Sequence, residues 1–354
     1  DGTCTAKITG RTGGGGLSNR NLIINGAMQI AQRGTSSTAT GHGTVDRFAV
    51  YHSTDDAPTQ SQSDVGLSDL PFTEQGITKC LKVTNGNQSG AGNAEYVEIN
   101  YKCEAQDIRN SGWNYQSSSS FITLSYYVRS SVAQTFTAWI TNRDGTRKNF
   151  VWSYALSANT WTKITKVIPG DSGLTINNDN GAAIELWFQM FYGTNYSQAS
   201  PPGNNTGGWV NHDNQTVETN DTSWYLTNDA TFEITGVQLE VGNHATSFEH
   251  RSVADELARC QRYYEETYVM TDAGNSYVRV PVLYKVEKRA VGTPVSYAKR
   301  PDGVGTGAAN KAYQADGERT ASCNYSWTGG TMLFVSGYSA NTDCFSNIRV
   351  NAEL

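Results

Sequence analysis

Aromatic and polar residues that suit sugar binding are concentrated between residues 191 and 225. Sugars present apolar C–H faces that stack on flat aromatic rings, whereas carboxylates, amides and imidazoles bind their hydroxyl groups. Trp209 follows two glycines in a polar stretch, where a core position is harder to arrange than in a strand. We therefore predict a carbohydrate-binding site that includes Tyr196, Trp209, His212, Asp213 and Trp224.

A second aromatic candidate is the segment NSGWNYQ, which holds Trp113 and Tyr115. The alternative for each of these rings is packing against the protein itself, and for Trp209 this means a plug that fixes its loop. Four other tryptophans lie inside strand-like patterns, and large rings in such positions are core residues by default. These four are Trp139, Trp152, Trp161 and Trp187.

The carboxylates give weak evidence for an enzyme. Cleavage of a glycosidic bond needs two of them close together. Glu185, within the apolar run IELWFQM, is the best acid candidate, and its alternative is a carboxylate paired with an arginine. Glu98 faces away from Val97 and Ile99, and we expect it in solvent. Because the sequence has no GxSxG elbow, P-loop or dinucleotide-binding motif, we predict no enzymatic activity and no cofactor.

The segment 171–180 offers oxygen ligands of the kind that calcium prefers. Its spacing lacks the glycine and the final glutamate of an EF-hand, so solvated turn residues are the simpler interpretation. None of the six cysteines forms a CxxC pair, and the five histidines show no ligand spacing beside them. We therefore predict no metal site.

The cysteines allow two interpretations. Their even number permits disulfides, and Cys323 and Cys344 could bridge neighbouring strands. Cys80 and Cys103 lie on apolar strand-like runs, and Cys260 lies on an apolar helix stripe. We therefore expect buried free thiols, as in a protein assembled in a reducing cytoplasm.

Composition and charge exclude two classes of partner. The net charge is −6, from 27 basic and 33 acidic residues, and no basic tract occurs, so we predict no nucleic-acid partner. The sequence has no run of about 18 apolar residues, which argues against membrane insertion. Charged residues make up 17% of the chain and glycines number 35. Together with abundant aromatics, this favours β-sheets with polar loops.

Short alternating segments between turn signals predict an all-β chain. The run YVEINYKCEAQDI places Val97, Ile99 and Tyr101 on one face, and NLIINGAMQIAQRG predicts two strands around a turn at Asn25-Gly26. About ten such strands predict a β-sandwich over residues 21–251. Residues 1–20 end in a glycine run that is typical of a linker.

One amphipathic helix is predicted over residues 252–266. Ser252 caps it, and Val253, Leu257, Cys260 and Tyr264 form a single apolar stripe. We interpret it as a connector that leads from the sandwich to a second, smaller β-domain over residues 267–354.

Several stretches resemble a module of tail-fibre and other appendage proteins of tailed bacteriophages. They are NLIINGAMQIAQRGTS followed by TVDRFAV, FITLSYYVRSS, ALSANTWTKITKVIPGD, ITGVQLEVGNHATSFEHRSVADELARCQRYYE and the closing IRVNAEL. The resemblance runs from about residue 20 to residue 354. The stretches TLSYYVRSS, NTWTKITKVIPG and FEITGVQLEVG also resemble carbohydrate-binding modules of the jelly-roll kind.

The resemblance implies a trimeric virion structural protein in the distal part of a tail fibre, with other virion tail or capsid proteins as partners. The resemblance does not fix the ligand, because family members differ most in their loops, of which the polar segment 196–220 is one. From the aromatic residues we expect a host-surface glycan that is bound without being cleaved. Two alternatives stay open: a capsid or baseplate decoration fibre without a ligand, and a polysaccharide-degrading tail hydrolase that uses Glu185. Because the chain begins at Asp1, we expect either a processed chain or the C-terminal part of a longer polypeptide, and we favour the second.

Overall fold

The structure, a computed structural model, describes residues 19–201, 203, 205–215, 217–219, 221–271, 277–314, 317–336 and 343–354. Most of the predicted glycine-rich linker, residues 1–18, therefore lies outside the described residues. The chain divides into two compact units, Asp1–Arg251 and Ser252–Leu354. In the part of the chain that is described, no helix is long and apolar enough to cross a membrane.

Strands dominate the described part of the first unit, with two helices of about one turn, α1 (Leu70–Gln75) and α2 (Ala105–Arg109). The strands are β1 (Ser36–Ser37), β2 (Phe48–Ser53), β3 (Thr59–Asp64), β4 (Lys79–Thr84), β5 (Tyr96–Glu104), β6 (Phe121–Ser130), β7 (Gln134–Asn142), β8 (Lys148–Leu156), β9 (Thr162–Pro169), β10 (Ala182–Tyr192), β11 (Ser197–Gln198), β12 (Val210–Asn211), β13 (Val217–Glu218) and β14 (Thr231–Val241).

Two antiparallel sheets face each other in this unit. Sheet I has the order β1-β3-β4-β14-β6-β9, and sheet II has the order β12-β8-β7-β10-β5-β2. Aromatic and aliphatic side chains from both sheets form one buried core, among them Phe136 and Phe188 of sheet II and Phe232 and Leu239 of sheet I. The prediction of an all-β, jelly-roll sandwich is confirmed.

Strand β10 illustrates that each strand of sheet II places side chains on both faces of the sheet. Successive side chains of a strand point to opposite sides of the sheet. Leu186 and Phe188 are buried in the core between the sheets. Glu185, Trp187 and Gln189 therefore lie on the other side, which we call the outer face of sheet II.

The segment before β1 differs from the prediction. The structure assigns no strand around the Asn25-Gly26 turn; instead the segment lies along β14, where Leu22 N donates to Leu239 O at 2.8 Å and Val237 N donates to Gly26 O at 2.9 Å. Asn25 has a positive φ of 62°, and its side-chain amide donates to Ile30 O at 2.8 Å. These side-chain and isolated backbone bonds replace a regular ladder, which is why the apolar pattern did not produce strands here.

The second unit contains one seven-stranded sheet, with β17 paired to β21 and the other strands in the order β15-β21-β18-β19-β20-β16. Its elements are α3 (Val253–Gln261), β15 (Tyr264–Thr271), β16 (Tyr277–Leu283), β17 (Thr293–Tyr297), β18 (Lys311–Gln314), β19 (Gly317–Trp327), β20 (Gly330–Ser336) and β21 (Cys344–Asn351).

Helix α3 begins where predicted but ends early. Ser252 Oγ accepts a hydrogen bond from Asp255 N at 3.1 Å, as an N-cap residue does. The helix stops at Gln261, and Tyr264 instead opens β15 opposite Asn351 of β21. The predicted end at residue 266 was wrong because aromatic and β-branched residues after Gln261 pair with a strand that is distant in sequence.

The five described cysteines are free thiols, and four of them are buried. The expectation of buried thiols is thus confirmed for Cys80, Cys103 and Cys260. Burial raises the pKa of both Cys80 and Cys103 to about 12, so neither forms a reactive thiolate near neutral pH.

The contact of Gly26 with β14 predicts a large effect for one added methyl group. A Cβ at Gly26 would lie 2.1 Å from Val237 O, whereas a Cβ at Gly90 would meet no atom within 4 Å. We expect Gly26→Ala to lower the free energy of unfolding of the first unit by roughly 1–3 kcal/mol. Chemical denaturation measures this, with Gly90→Ala as the control that stays close to wild type. Equal stability of the two variants would contradict this packing.

Candidate functional site

A groove of about 330 Å³ opens on the outer face of sheet II. Strands β7, β8 and β10 contribute its floor, and the segment that follows β10 contributes its wall. We call it the tryptophan groove. It is lined by Trp139, Thr141, Arg147, Asn149, Trp187, Tyr192, Asn195, Tyr196, His212, Asp213, Asn214 and Val217.

The wall is tied to sheet II and to itself by hydrogen bonds. Strand β12 pairs with β8 through Val210 and Asn149, and β11 pairs in parallel with β13 through Ser197 and Val217. Gln215 Nε2 donates to Thr194 O at 2.7 Å. The segment is therefore held over the sheet by backbone bonds as well as by side chains.

Two indole rings form the apolar floor of the groove. Trp139 and Trp187 are direct cross-strand partners on β7 and β10. Their ring centroids are 5.7 Å apart and their planes differ by 9°, so they stack nearly parallel. The Tyr192 ring meets Trp139 edge-on at a centroid distance of 5.7 Å. Trp139 is 6% exposed, whereas Trp187 is half-buried, so Trp187 offers the more accessible ring.

Polar groups at one end of the groove form a hydrogen-bond chain. Thr141 Oγ1 donates to Asn149 Oδ1 at 2.8 Å, and Asn149 Nδ2 is 3.1 Å from His212 Nδ1. The backbone of His212 donates to Arg147 O at 2.9 Å. Burial lowers the pKa of His212, and the charges of Arg147 and Arg143 lower it further. The imidazole is therefore neutral near pH 7, with Nδ1 assigned as the acceptor from Asn149.

Glu185 lies on the outer face of sheet II and is 1% exposed. Its Oε1 is 3.6 Å from Lys102 Nζ, and its Oε2 is 3.4 Å from Arg143 Nη1. This is the alternative given for Glu185 from the sequence, a carboxylate that pairs with an arginine.

Glu98, which was expected in solvent, is 6% exposed. That expectation was wrong because the outer face of sheet II is covered at this point, with the Tyr192 hydroxyl donating to Glu98 Oε2. Burial raises the pKa of Glu98 to about 8, and the charge of Glu185 acts in the same direction. Near neutral pH this carboxyl group keeps its proton.

The structure brings together three of the residues predicted for the sugar site. Tyr196, His212 and Asp213 all line the tryptophan groove. Asp213 is exposed at its rim, while Tyr196 and His212 are half-buried.

Trp209 and Trp224 are core residues instead. The Trp209 ring is 9% exposed, its Nε1 donates to Pro169 O at 2.8 Å, and it meets Phe150 edge-on. This is the plug described as its alternative. Trp224 is fully buried, and its backbone N donates to Gln134 Oε1 at 2.8 Å. A polar sequence neighbourhood was misleading here, because a loop that crosses a sheet edge can insert its aromatic residues into the core.

The second aromatic candidate is also packed against the protein. Trp113 is 3% exposed and donates from Nε1 to Ser120 O at 3.3 Å. The half-buried Tyr115 ring lies edge-on to it, with the Arg109 guanidinium 5.5 Å from the Tyr115 centroid. Neither ring belongs to the tryptophan groove.

Four tryptophans were expected in the core. Trp139, Trp152 and Trp161 are buried, at 6%, 3% and 7% exposure, whereas Trp187 is half-buried on the outer face of sheet II. Sequence reasoning therefore missed the accessible ring of the groove floor. The alternation in β10 contained the signal, since Trp187 shares its face with Glu185 and not with Leu186. Among the described residues, no group of three or more His, Cys, Asp or Glu side chains could hold a metal ion.

No protein-family model matches the chain, and no curated protein matches it. Similar solved structures include the enzymatically active domain of tailspike protein 4 of bacteriophage CBA120, at 8% identity and a TM-score of 0.33, covering 63% of this chain and 21% of that chain. The N-terminal cellulose-binding domain of β-1,4-glucanase C from Cellulomonas fimi has 12% identity and a TM-score of 0.30, covering 61% of this chain and 99% of that chain. The family 11 carbohydrate-binding module from Clostridium thermocellum has 12% identity and a TM-score of 0.27, covering 61% and 98%. Scores this low support no inference about function.

The buried carboxyl of Glu98 predicts a pH-dependent stability. Its pKa is raised in the folded state, so its contribution is complete below the ordinary pKa of 4.5 and is lost as the pH rises through about 8. We expect the unfolding temperature of the first unit to fall between about pH 5 and about pH 9, by roughly 3 °C or more. Glu98→Gln, which stays neutral, should flatten this decline.

Calorimetry across that pH range provides the measurement. Asp64→Asn removes a carboxylate whose side chain is 81% exposed, and it should leave the pH profile unchanged. Parallel profiles for wild type and Glu98→Gln would show that the Glu98 carboxyl is ionised and solvated in the folded protein.

Proposed function

We propose that the first unit binds a glycan in the tryptophan groove. The observation that carries this proposal is the near-parallel pair of Trp139 and Trp187 on the outer face of sheet II, in a concave site. Indole rings on the outside of a sheet contribute nothing to the sandwich core, and they match the apolar faces of sugar rings. The half-buried Trp187 would form the main stacking surface.

The polar residues of the groove suit the hydroxyl groups of such a ligand. Amide, imidazole and carboxylate groups line the groove beside the rings, from Asn195, His212, Asp213 and Asn214. A mainly apolar floor with a few convergent polar groups is typical of small-ligand sites. These polar groups would then select sugars by the orientation of their hydroxyl groups, while stacking on the indole ring supplies most of the affinity.

We propose that the glycan is bound without being cleaved. Glycoside cleavage needs one carboxylic acid and one carboxylate on either side of the bond. Glu185 is buried and engaged by Lys102 and Arg143, and the carboxyl of Glu98 is engaged by Tyr192. Neither residue lines the groove.

We further propose that the protein is a virion structural protein in the distal part of a phage tail fibre, where it contacts the host-surface glycan. The sequence resemblance supports this, above all the stretch from Ile234 to Glu265. Homotrimeric assembly would raise avidity by orders of magnitude, because several weak sites engage one surface without any new contact.

Removal of the accessible ring should abolish most glycan binding. We expect Trp187→Ala to weaken binding to a glycan array, or to surface polysaccharide of a host, by at least about tenfold, because the stacking surface is lost. Trp327→Ala removes a ring that is 40% exposed in the second unit and serves as the matched control. Trp209→Ala should instead lower stability, since its ring lies in the core.

Two results would overturn this proposal. If no glycan binds, or if Trp187→Ala binds as wild type does, the groove is not the site and a decoration fibre without a ligand becomes the better interpretation. If the pure protein releases reducing ends from a bound polysaccharide, and Glu185→Gln stops the release, the protein is a hydrolase.

The proposed assembly predicts a native mass of three chains of 38.5 kDa. Native mass spectrometry of the purified protein, at several concentrations, measures it. A single chain at every concentration would contradict the trimer, although it would leave the glycan site in place.

A further inference from the structure

The lining of the tryptophan groove includes one arginine side chain. Arg147 lies in the connection between β7 and β8 and lines the groove. Its Nε is buried and has no hydrogen-bond partner, and its side chain takes part in no ion pair within the described part of the chain. The residue as a whole is half-buried, so its guanidinium group is partly desolvated and can still be reached by a ligand.

The neighbouring charges do not compensate Arg147. Glu185 is a buried carboxylate on this face whose charge also acts on Arg147, but its ion pairs are with Lys102 and Arg143. One carboxylate therefore faces three cations. Asp213 stands exposed at the rim, where solvent screens its charge.

The pKa values of two residues in the groove are lowered, and neighbouring positive charge contributes to both shifts. Burial lowers the pKa of Arg147, and the charge of Arg143 lowers it further, while Glu185 acts in the opposite direction. The pKa of His212 is lowered by burial and by both arginines, against a smaller effect of Asp213. Burial is the main cause of both shifts, and the positive charge of the arginines adds to it.

We propose that the glycan in the tryptophan groove carries an anionic group and that Arg147 binds this group. The inference rests on the proposed glycan binding and specifies its ligand class. A guanidinium group presents a planar fork of donors that matches a sugar carboxylate, a sulfate or a phosphate. Because Trp187 lines the same groove, one sugar can stack on the ring while its acidic substituent meets Arg147.

His212 would assist as a neutral donor. Its Nδ1 accepts from Asn149 Nδ2 at 3.1 Å, so the proton of the ring resides on Nε2. Among the described residues, the hydrogen bond of the His212 ring is made by Nδ1, which leaves Nε2 for a ligand. The hydrogen bond of the His212 backbone to Arg147 O keeps the two residues together.

The test compares acidic glycans with neutral counterparts of the same backbone. The probes are oligogalacturonate against its carboxyl-reduced form, a sulfated galactan against its desulfated form, and a phosphorylated mannan against its dephosphorylated form. We expect at least one acidic probe to bind more than about tenfold tighter than its counterpart, with affinity that falls as sodium chloride is added. The probe that binds identifies the anionic group.

Arg147→Gln should weaken binding of that acidic probe by about 10- to 100-fold and leave its neutral counterpart unchanged. Arg147→Lys should retain part of the affinity, because it keeps the charge but loses the fork. Lys163→Gln makes the same change of charge on β9 of sheet I and serves as the control. Thermal unfolding of Arg147→Gln should match wild type, since it removes an unpaired cation, and Arg147→Lys provides the measurement if the Gln variant does not fold.

The outcomes separate this inference from the proposed function. Equal binding of acidic and neutral probes, or unchanged binding by Arg147→Gln, overturns the anionic ligand while glycan binding stands. If Trp187→Ala weakens both members of a pair and Arg147→Gln weakens the acidic one alone, both proposals are supported. If no probe or host polysaccharide binds at all, the proposed function fails and this inference fails with it.

Discussion

The alternation of side chains along β10 is the constraint on which both the core and the groove depend. Leu186 and Phe188 fill the sandwich because they point toward sheet I, and this direction forces Glu185 and Trp187 onto the outer face. A shift of one residue in register would exchange the two sets. The packing that stabilises the sandwich therefore also fixes where its stacking surface lies.

The outer face is unusual because it is largely covered. Part of the segment after β10 lies over the outer face of sheet II, while its strand β12 extends the edge of that sheet beside β8, and the groove is the part left open. Covering the sheet buries Glu98 and Gln189, at 6% and 0% exposure, and part of Arg147 as well. Removing these polar groups from water lowers stability. A hydrogen-bond partner offsets this cost, as the Tyr192 hydroxyl does for Glu98.

These two features together suit adhesion. A rigid sheet holds Trp139 and Trp187 in register, so little conformational entropy would be lost if a sugar stacked on the accessible Trp187 ring, as proposed. The wall of the groove carries the polar groups, and its sequence can change without altering the sandwich. Such a division would let one scaffold serve different ligands, and the proposed assembly into a fibre would raise the avidity of weak sites.

The sequence by itself determined the all-β class, the cap at Ser252 and the loop that supplies Tyr196 and His212, because these depend on local alternation, capping and composition. The tertiary structure decided the rest. Alternation shows which residues share a face, but it does not show which face another segment covers, so Trp187 was assigned to the core and Glu98 to solvent. Both are settled by strand pairing and loop packing between residues that are distant in sequence.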